Sequence, residues 1–319
     1  MAQTAEVGSI VTKKASKRRA RWRKYMPLTI MALPGLLYLL INNYLPMFGI
    51  VIAFKDIDIS KGILGSDWSG FKNFEYLFKT SDAYIITRNT ILYNVAWIIL
   101  HTVLAIFFAI LLNEIKNKFF GRFYQSVILL PQLISIIIVS YLVYAFLSSE
   151  NGLMNNTILP ALGLSELNWY FEKQYWPYIL TLVHLWKSVG FYVVVFFAAI
   201  IGIDEEYYEA ARLDGASKWH QIRFITVPLI TPAITMLTLL AIGRIFYSDF
   251  GLFYQVPMNS GALFETTSVI DTYVFRGLMG LGDMGMSAAA GFYQSIVGFV
   301  LVIGANWIVR KTNKENALF

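Results

Sequence analysis

The chain has 319 residues, of which 57% are hydrophobic and only 14% charged, with a formal net charge of +6 and no cysteine. Soluble domains carry about 25% charged residues, so these proportions exclude a water-soluble globular protein and indicate an integral membrane protein. The lack of cysteine excludes a disulfide scaffold and a thiolate metal site, and the three histidines, His101, His184 and His220, stand far apart.

The first 26 residues carry Lys13, Lys14, Lys17, Arg18, Arg19, Arg21, Arg23 and Lys24, with Glu6 as the only acid. Such a run suits nucleic acid or anionic lipid. Because an apolar stretch follows directly, it reads as a cytoplasmic anchor on membrane lipid, with no nucleic acid involved. That stretch is longer than a signal-peptide core and no small-x-small cleavage site follows it. Residues 1–26 are therefore expected to form a basic tail and 27–319 a transmembrane domain.

A membrane-crossing helix needs about 20 apolar residues. Six stretches qualify, at roughly 28 to 52, 89 to 112, 124 to 147, 177 to 202, 226 to 254 and 288 to 309. Six crossings put both termini on one side. The segments on that side, 1–26, 113–123, 203–225 and 310–319, hold eight, three, three and three Lys or Arg. On the other side, 53–88 balances five bases with five acids, 148–176 sets Lys173 against three acids, and 255–287 sets Arg276 against three. The positive-inside rule thus places the termini and the 203–228 loop in the cytoplasm.

Helix breakers interrupt several spans. Pro34, Gly35, Asn42, Asn43, Pro46 and Gly49 lie in the first and Pro131 in the third. Proline frees a carbonyl that lipid cannot satisfy, so these helices are expected to face other helices or a water-filled cavity. The loops at 53–88 and 148–176 are rich in aromatics, Trp68, Phe71, Phe74 and Tyr76 in one and Trp169, Tyr170 and Phe171 in the other. These read as interfacial anchors or as contacts for a docking protein. His101, alone in the second span, reads as a hydrogen-bonded packing residue.

Lys187 falls ten residues into the fourth span, roughly 15 Å deep and near the midplane. A central Lys or Arg costs about 2.5 to 3.5 kcal/mol on an insertion scale, so it is expected to face a cavity or a partner. His184 shares its face and Ser188 adjoins it. After this span comes the longest polar island of the second half, Glu209-Ala210-Ala211-Arg212-Leu213-Asp214-Gly215-Ala216, continuing from Ser217 to Pro228. Asp204 is placed to cap a helix whose first turn carries Glu205 and Glu206. Gly215 supplies the left-handed residue that ends it near Leu213, Ser217 caps a second short helix, and Pro228 opens the next span together with Pro232. The product is a helix-turn-helix at the membrane surface.

In the fifth span Arg244, Tyr247 and Ser248 recur at i, i+3 and i+4, with Asp249 one step further round. His184, Lys187, Arg244, Tyr247, Ser248 and Asp249 are candidates for lining a translocation pathway. The alternative is a structural ion pair of Arg244 with Asp249 or with another subunit. The sixth span opens with Ser287-Ala288-Ala289-Ala290-Gly291, small residues that let helices approach closely. Gly280-Leu281-Gly282-Asp283-Met284-Gly285 spells the dinucleotide pattern, but it lies in a loop before a membrane helix instead of between strand and helix. Gly65 and Gly70 have phosphate-loop spacing, yet Phe71 and Lys72 follow where a Lys-Ser/Thr pair is needed. No catalytic or metal-ligating constellation is visible, so no cofactor of its own is expected.

The spacing Glu-Ala-Ala, three residues, Gly, nine residues, Ile-x-x-Pro resembles the EAA coupling loop of ABC importer permeases. Six positions agree, and Val227 stands where Leu is usual. The resemblance implies an all-α MetI-like fold with six transmembrane helices and a cytoplasmic coupling helix pair. Glu209, Ala210, Ala211, Asp214, Gly215, Ser217 and Pro228 would then form the ATPase-coupling element. The wording from Tyr208 to Ala216 and the Gly282-Asp283-Met284-Gly285-Met286-Ser287 lead into the sixth span resemble the carbohydrate branch, and within it polysaccharide permeases of the alginate-importer type. That implies a second permease subunit, an ATPase dimer holding ATP and Mg, an extracytoplasmic solute-binding protein, and an acidic, alginate-like oligosaccharide as substrate, all at the bacterial inner membrane. The chain itself would be no enzyme. A secondary transporter would need intramembrane carboxylates, for which Asp249 is the clear candidate, and a membrane enzyme would need a constellation that is missing.

The charge argument predicts that labels placed after Lys14, at Ser217 and at Lys314 are unreachable from outside intact cells. Labels at Gly65, Asn155 and Ser260 are reached. The reverse pattern in a membrane-impermeant labelling assay would overturn the topology.

Overall fold

The computed structural model describes residues 25–75 and 79–312. The basic tail up to residue 24, Tyr76 and Lys314 lie outside the described residues.

Helix α1 (Tyr25–Phe54) passes through a π turn at Leu40–Tyr44, just before Pro46, which cannot donate to the helix ladder, and finishes as a 3-10 helix over Phe48–Phe54. A two-residue antiparallel ladder, β1 (Lys55–Asp56) with β2 (Asp67–Trp68), folds the following loop. Inside it the buried Lys55 ammonium donates to the carbonyls of Ile63 and Leu64, at 2.9 Å each. Helix α2 (Ser81–Asn113) is capped by Thr80, and α3 (Lys118–Leu133) by Asn117. Next come α4 (Ile136–Leu147) and α5 (Trp176–Ile201). The polar island forms α6 (Glu205–Leu213) and α7 (Lys218–Gln221), and a π turn at Ile222–Thr226 joins α7 to α8 (Val227–Gly243). Short helices α9 (Phe250–Gln255) and α10 (Ile270–Arg276) precede the long α11 (Met284–Thr312).

Among the described residues five helices are long and apolar enough to cross a membrane, and the pair α3 and α4 makes a sixth if counted as one span. Two of the expected spans are built differently. The third begins at Lys118 and is bent by 91° between α3 and α4. Pro131 removes one helical donor, and the extended backbone of Ile134 and Ser135 then turns the chain. The fifth begins at Lys218, because α7 runs on through the π turn, and it stops at Gly243 instead of 254. Residues 244–249 are therefore not helical, and the i, i+3, i+4 face expected for Arg244, Tyr247 and Ser248 does not exist.

Helices α2 and α5 lie side by side at the centre, with α3 crossing α5 and α11 packed between α8 and the end of α1. At the α3 crossing a Cβ on Gly190 would strike the carbonyl of Ile128, so only glycine lets the two backbones meet. One apolar cluster gathers Tyr93, Trp97, Val139, Trp176, Leu180 and Phe253. Another gathers Ala105, Ala109, Val193, Phe196, Ile200 and Ile230 toward the α6–α7 end. The 148–176 loop has its own small core. Trp169 is buried there, and the Asn155 side chain accepts from Trp169 Nε1 at 3.0 Å and donates to the Leu167 carbonyl at 2.8 Å. Trp176 Nε1 donates to the Trp169 carbonyl at 2.7 Å. Trp169 is thus a packing residue of that loop and not an interfacial anchor, whereas Phe171, Trp68 and Phe71 are exposed. Asn155 is itself buried, so exposed Asn156 is the better labelling position in this loop.

Replacing Gly190 by Val is expected to cost about 1–3 kcal/mol by overpacking the crossing. It should appear as a lower Tm of the purified complex. Gly291→Ala, where an added Cβ meets nothing within 4 Å, should leave Tm unchanged.

Candidate functional site

One face of α2 carries Asn89, Tyr93, Trp97 and His101 at four-residue spacing, with Thr90 and Asn94 beside them. Facing them on α5 are Thr181, His184, Ser188 and Tyr192. Trp97 Nε1 donates to Thr181 Oγ1 at 3.1 Å, and its indole stacks on the His184 ring with centroids 3.6 Å apart. His101 sits between His184 and Tyr192, 4.9 Å from each ring and stacked on the tyrosine. Its Nε2 lies 2.6 Å from Ser188 Oγ, whose own hydrogen goes to the His184 carbonyl. A hydroxyl has one hydrogen to give, so His101 is the donor and carries its proton on Nε2.

The wall opposite this ladder of rings is the non-helical stretch between α8 and α9. Its backbone groups need partners, since apolar surroundings offer none. Asn94 Nδ2 donates to the carbonyls of Ile245 and Tyr247 at 3.0 and 3.2 Å. Gln294 Nε2 donates to the Phe246 carbonyl at 2.7 Å and to Asp271 Oδ2 at 3.3 Å. Asp271 Oδ2 in turn accepts the Ser248 N–H at 2.8 Å. Asp249 caps α9 by accepting from Leu252 N at 3.1 Å. Asp271 lies on α10, outside the membrane-crossing helices. Burial pushes its carboxyl above the usual range, against the opposing pull of the Ser248 N–H, Gln294 and Arg244.

Between the two walls is a cavity of about 570 Å³, lined by the rings of Trp97, His101, His184 and Tyr192 and by Arg244, Tyr247, Ser248 and Asp249. Arg244 is exposed to it, and its guanidinium makes no hydrogen bond or ion pair among the described residues. Ser248 Oγ is buried and has no hydrogen-bond partner there. The cavity therefore offers flat rings and, among the described residues, one unpaired guanidinium. This is the donor set for a polar ligand with apolar faces.

At the far end of α5, Asp204 Oδ1 accepts from Glu206 N at 3.1 Å and starts α6. Gly215 has φ +79° with open space around it, so conformation alone reserves this position for glycine. Ser217 caps α7, its Oγ accepting from His220 N and lying 2.8 Å from His220 Nδ1. The loop is tied to the body by Tyr208 Oη to Thr226 Oγ1 at 2.9 Å and by Lys218 Nζ to both Glu114 oxygens at 2.8 and 3.0 Å. Its outer surface shows Tyr207, Glu209, Trp219 and Leu213, the last 90% exposed. Large apolar side chains presented among charges mark a protein contact surface.

Residues 101–314 match the family described as binding-protein-dependent transport system inner membrane component. The chain belongs to this family. It is a multi-pass inner-membrane permease of an ABC carbohydrate importer and not itself an enzyme, and ATP hydrolysis takes place on a partner ATPase. The permease is 32% identical over 318 residues to the polygalacturonan/rhamnogalacturonan transport system permease protein YteP of Bacillus subtilis (strain 168), covering 98% of both chains. It is likewise 32% identical to protein LplB of the same organism over 302 residues, 94% of this chain and 92% of that one. Among solved structures, a bacterial ABC transporter involved in import of the acidic polysaccharide alginate superposes with a TM-score of 0.85 at 30% identity, covering 93% of this permease and 99% of that chain. The same holds for the alginate transporter in complex with an alginate pentasaccharide-bound periplasmic protein, with a TM-score of 0.83, 30% identity, and 92% and 98% coverage. The MetI-like, mostly helical fold follows from the family and the superposition together.

The structure brings His184, Arg244, Tyr247, Ser248 and Asp249 to one cavity of the permease. Lys187 is elsewhere. Its ammonium donates to the carbonyls of Ile134 at 2.5 Å and Gln132 at 3.3 Å, groups left open by the bend between α3 and α4. No ion pair joins Arg244 to Asp249 among the described residues. Glu209, Ala210, Ala211, Asp214, Gly215 and Ser217 sit together in the α6–α7 turn, and Pro228 lies in the first turn of α8. The residues not singled out from the sequence are Asn94, Trp97, Tyr192, Asp271 and Gln294. Their signal was present in part, in the four-residue recurrence of polar and aromatic side chains along α2.

Since Lys187 replaces lost helical donors, Lys187→Met is expected to destabilise the assembled permease by about 1.5–3 kcal/mol, the range for hydrogen bonds from a charged group. The ratio of acidic to neutral oligosaccharide uptake should stay unchanged. Thermal unfolding and paired uptake assays on one preparation measure both.

Proposed function

We propose that this permease passes an acidic oligosaccharide through the cavity between α2, α5 and the 244–249 stretch. It would act beside a second permease subunit, with an ATPase dimer docked on the α6–α7 turn and a solute-binding protein delivering substrate at the opposite end. The unpartnered Arg244 guanidinium among stacked rings carries this reading. Sugar rings present C–H faces that pack on aromatic planes, hydroxyls that suit Tyr247, and, in a uronic acid, a carboxylate that matches a planar guanidinium fork. The likeness to a transporter of the acidic polysaccharide alginate supports the same substrate class. Termini and coupling turn on the cytoplasmic side, and a division into a basic tail over 1–26 and a transmembrane domain over 27–319, complete the proposal and rest on the charge distribution.

The coupling role rests on geometry at the surface. Glu209 is exposed, Ala210 and Ala211 leave room beside it, and Leu213 and Trp219 flank the turn. A partner groove can therefore close on the helix backbone with little steric obstruction.

Reconstituted with its partners, Arg244→Gln should reduce uptake of an acidic oligosaccharide by roughly tenfold, the loss of one charge-assisted contact. Uptake of a neutral oligosaccharide of equal length should change little. Equal losses for both would remove the acidic-substrate reading.

A further inference from the structure

A single face of α2 holds two interrupted stretches, the loop before α10 and residues 244–249, of which the second lines the cavity. Asn89 Nδ2 donates to the carbonyls of Glu265 and Ser268 at 3.0 and 2.9 Å, and Thr90 Oγ1 accepts the Ile270 N–H at 3.1 Å. These bonds fix the start of α10 and so the position of Asp271. One turn further along α2, Asn94 takes the two carbonyls of the 244–249 stretch. Gln294, buried on α11, closes the circuit between Phe246 and Asp271. Tyr247 Oη is fastened to Ser295 Oγ at 2.8 Å on the same helix.

We propose that Asp271, together with Asn94 and Gln294, is the positioning set that holds residues 244–249 in their non-helical path and thereby keeps Arg244 and Tyr247 on the cavity wall, with the Ser248 hydroxyl buried behind it. None of the three is placed to carry the substrate by itself in this reading. Asp271 acts through the Ser248 N–H, Asn94 through two carbonyls, and Gln294 through one carbonyl and the Asp271 carboxylate. The alternative for this stretch is to rewind onto α8, which would rotate Arg244 and Ser248 by whole helical steps and carry them off the cavity wall. The clamp is thus a determinant of substrate affinity that needs no contact with substrate. The inference rests on the transport role proposed for the cavity, but its first readout does not depend on the substrate.

The natural chain has no cysteine, so Ser248→Cys is a unique reporter within this subunit at a site where the native Oγ is buried. In the assembled complex, modification of this thiol by a small water-soluble thiol reagent should be slow. Adding Asp271→Ala should accelerate it by about tenfold or more as the stretch loosens. Adding Asp271→Asn, which keeps an acceptor for the Ser248 N–H, should leave it slow. In transport, Asp271→Ala on the cysteine-free chain should raise the half-saturating concentration for the acidic oligosaccharide more than for the neutral one, as Arg244→Gln does, because Arg244 leaves the cavity wall with the stretch. Unchanged labelling in the assembled Asp271→Ala complex, or equal acceleration by Asp271→Asn, overturns the proposal. Should Asp271→Ala fail to assemble, Gln294→Ala, which leaves the Asp271–Ser248 bond in place, carries the same labelling test with the same criterion. A loss of substrate-charge discrimination with intact labelling behaviour would count against the acidic-substrate reading and not against the clamp.

Discussion

A backbone carbonyl or N–H inside a bilayer must find a partner within the protein, and most of what is specific to this permease follows from how it meets that demand where its helices stop. The chain interrupts its membrane helices at the α3–α4 bend and again after Gly243. At the first break a lysine ammonium reaches across from α5 to two carbonyls, and at the second an asparagine, a glutamine and an aspartate close on four backbone groups. Each of these side chains is expensive to bury alone and inexpensive once bonded. The interruptions and the buried polar residues are therefore one feature seen from two sides.

The cavity lies where the packing changes character. On one side of it α2 and α5 are joined by large rings, Tyr93, Trp97 and Trp176, with Phe253 against them. On the other side Ala105 and Ala109 let α5 approach closely, and Phe196 and Ile200 fill the contact. Between these regimes the imidazoles of His101 and His184 and the hydroxyl of Ser188 form a polar rung. The α6–α7 turn hangs from the small-residue end, bonded to the end of α2 through Glu114 and Lys218 and to the start of α8 through Tyr208 and Thr226. Ring wall and α6–α7 turn are thus the two ends of a single pair of packed helices.

Hydrophobic length made the spans readable, and caps made the α6–α7 turn readable almost to the residue, because Asp204, Ser217 and Gly215 have roles set by local backbone chemistry alone. What could not be read were the breaks. Pro131 announced a disturbance but not a 91° bend, since the outcome depends on whether a distant donor such as Lys187 is there to satisfy the opened carbonyls. Gly243 sits in a run of apolar residues that hydropathy extends to 254, and only Asp249, a helix-capping residue placed inside that run, hinted that one helix had ended and another begun. Asp271 and Gln294 stayed hidden because their partners lie 23 or more positions away, beyond the reach of any periodicity. The charged residue that looked most exceptional in the sequence, Lys187, turned out to serve the backbone, while the cavity took its free cation from the interrupted stretch.

Helix α1 differs from every other membrane helix here. All of its residues from 25 to 48 are exposed, and its attachment to the rest runs through the final 3-10 turn, where Phe54 meets Phe71, Phe74 and Phe292 with ring centroids 5.4 to 5.6 Å apart. The part of the chain that defines the family begins only at residue 101. A helix that contributes almost nothing to the interior is held by the bilayer itself, in the sense that insertion and helix association are separable stages. Its sequence is then answerable to lipid, or to a neighbouring helix, and not to the cavity. The permease accordingly consists of a body of packed helices and an outlying first helix, joined to it through an aromatic cluster at the end of that helix.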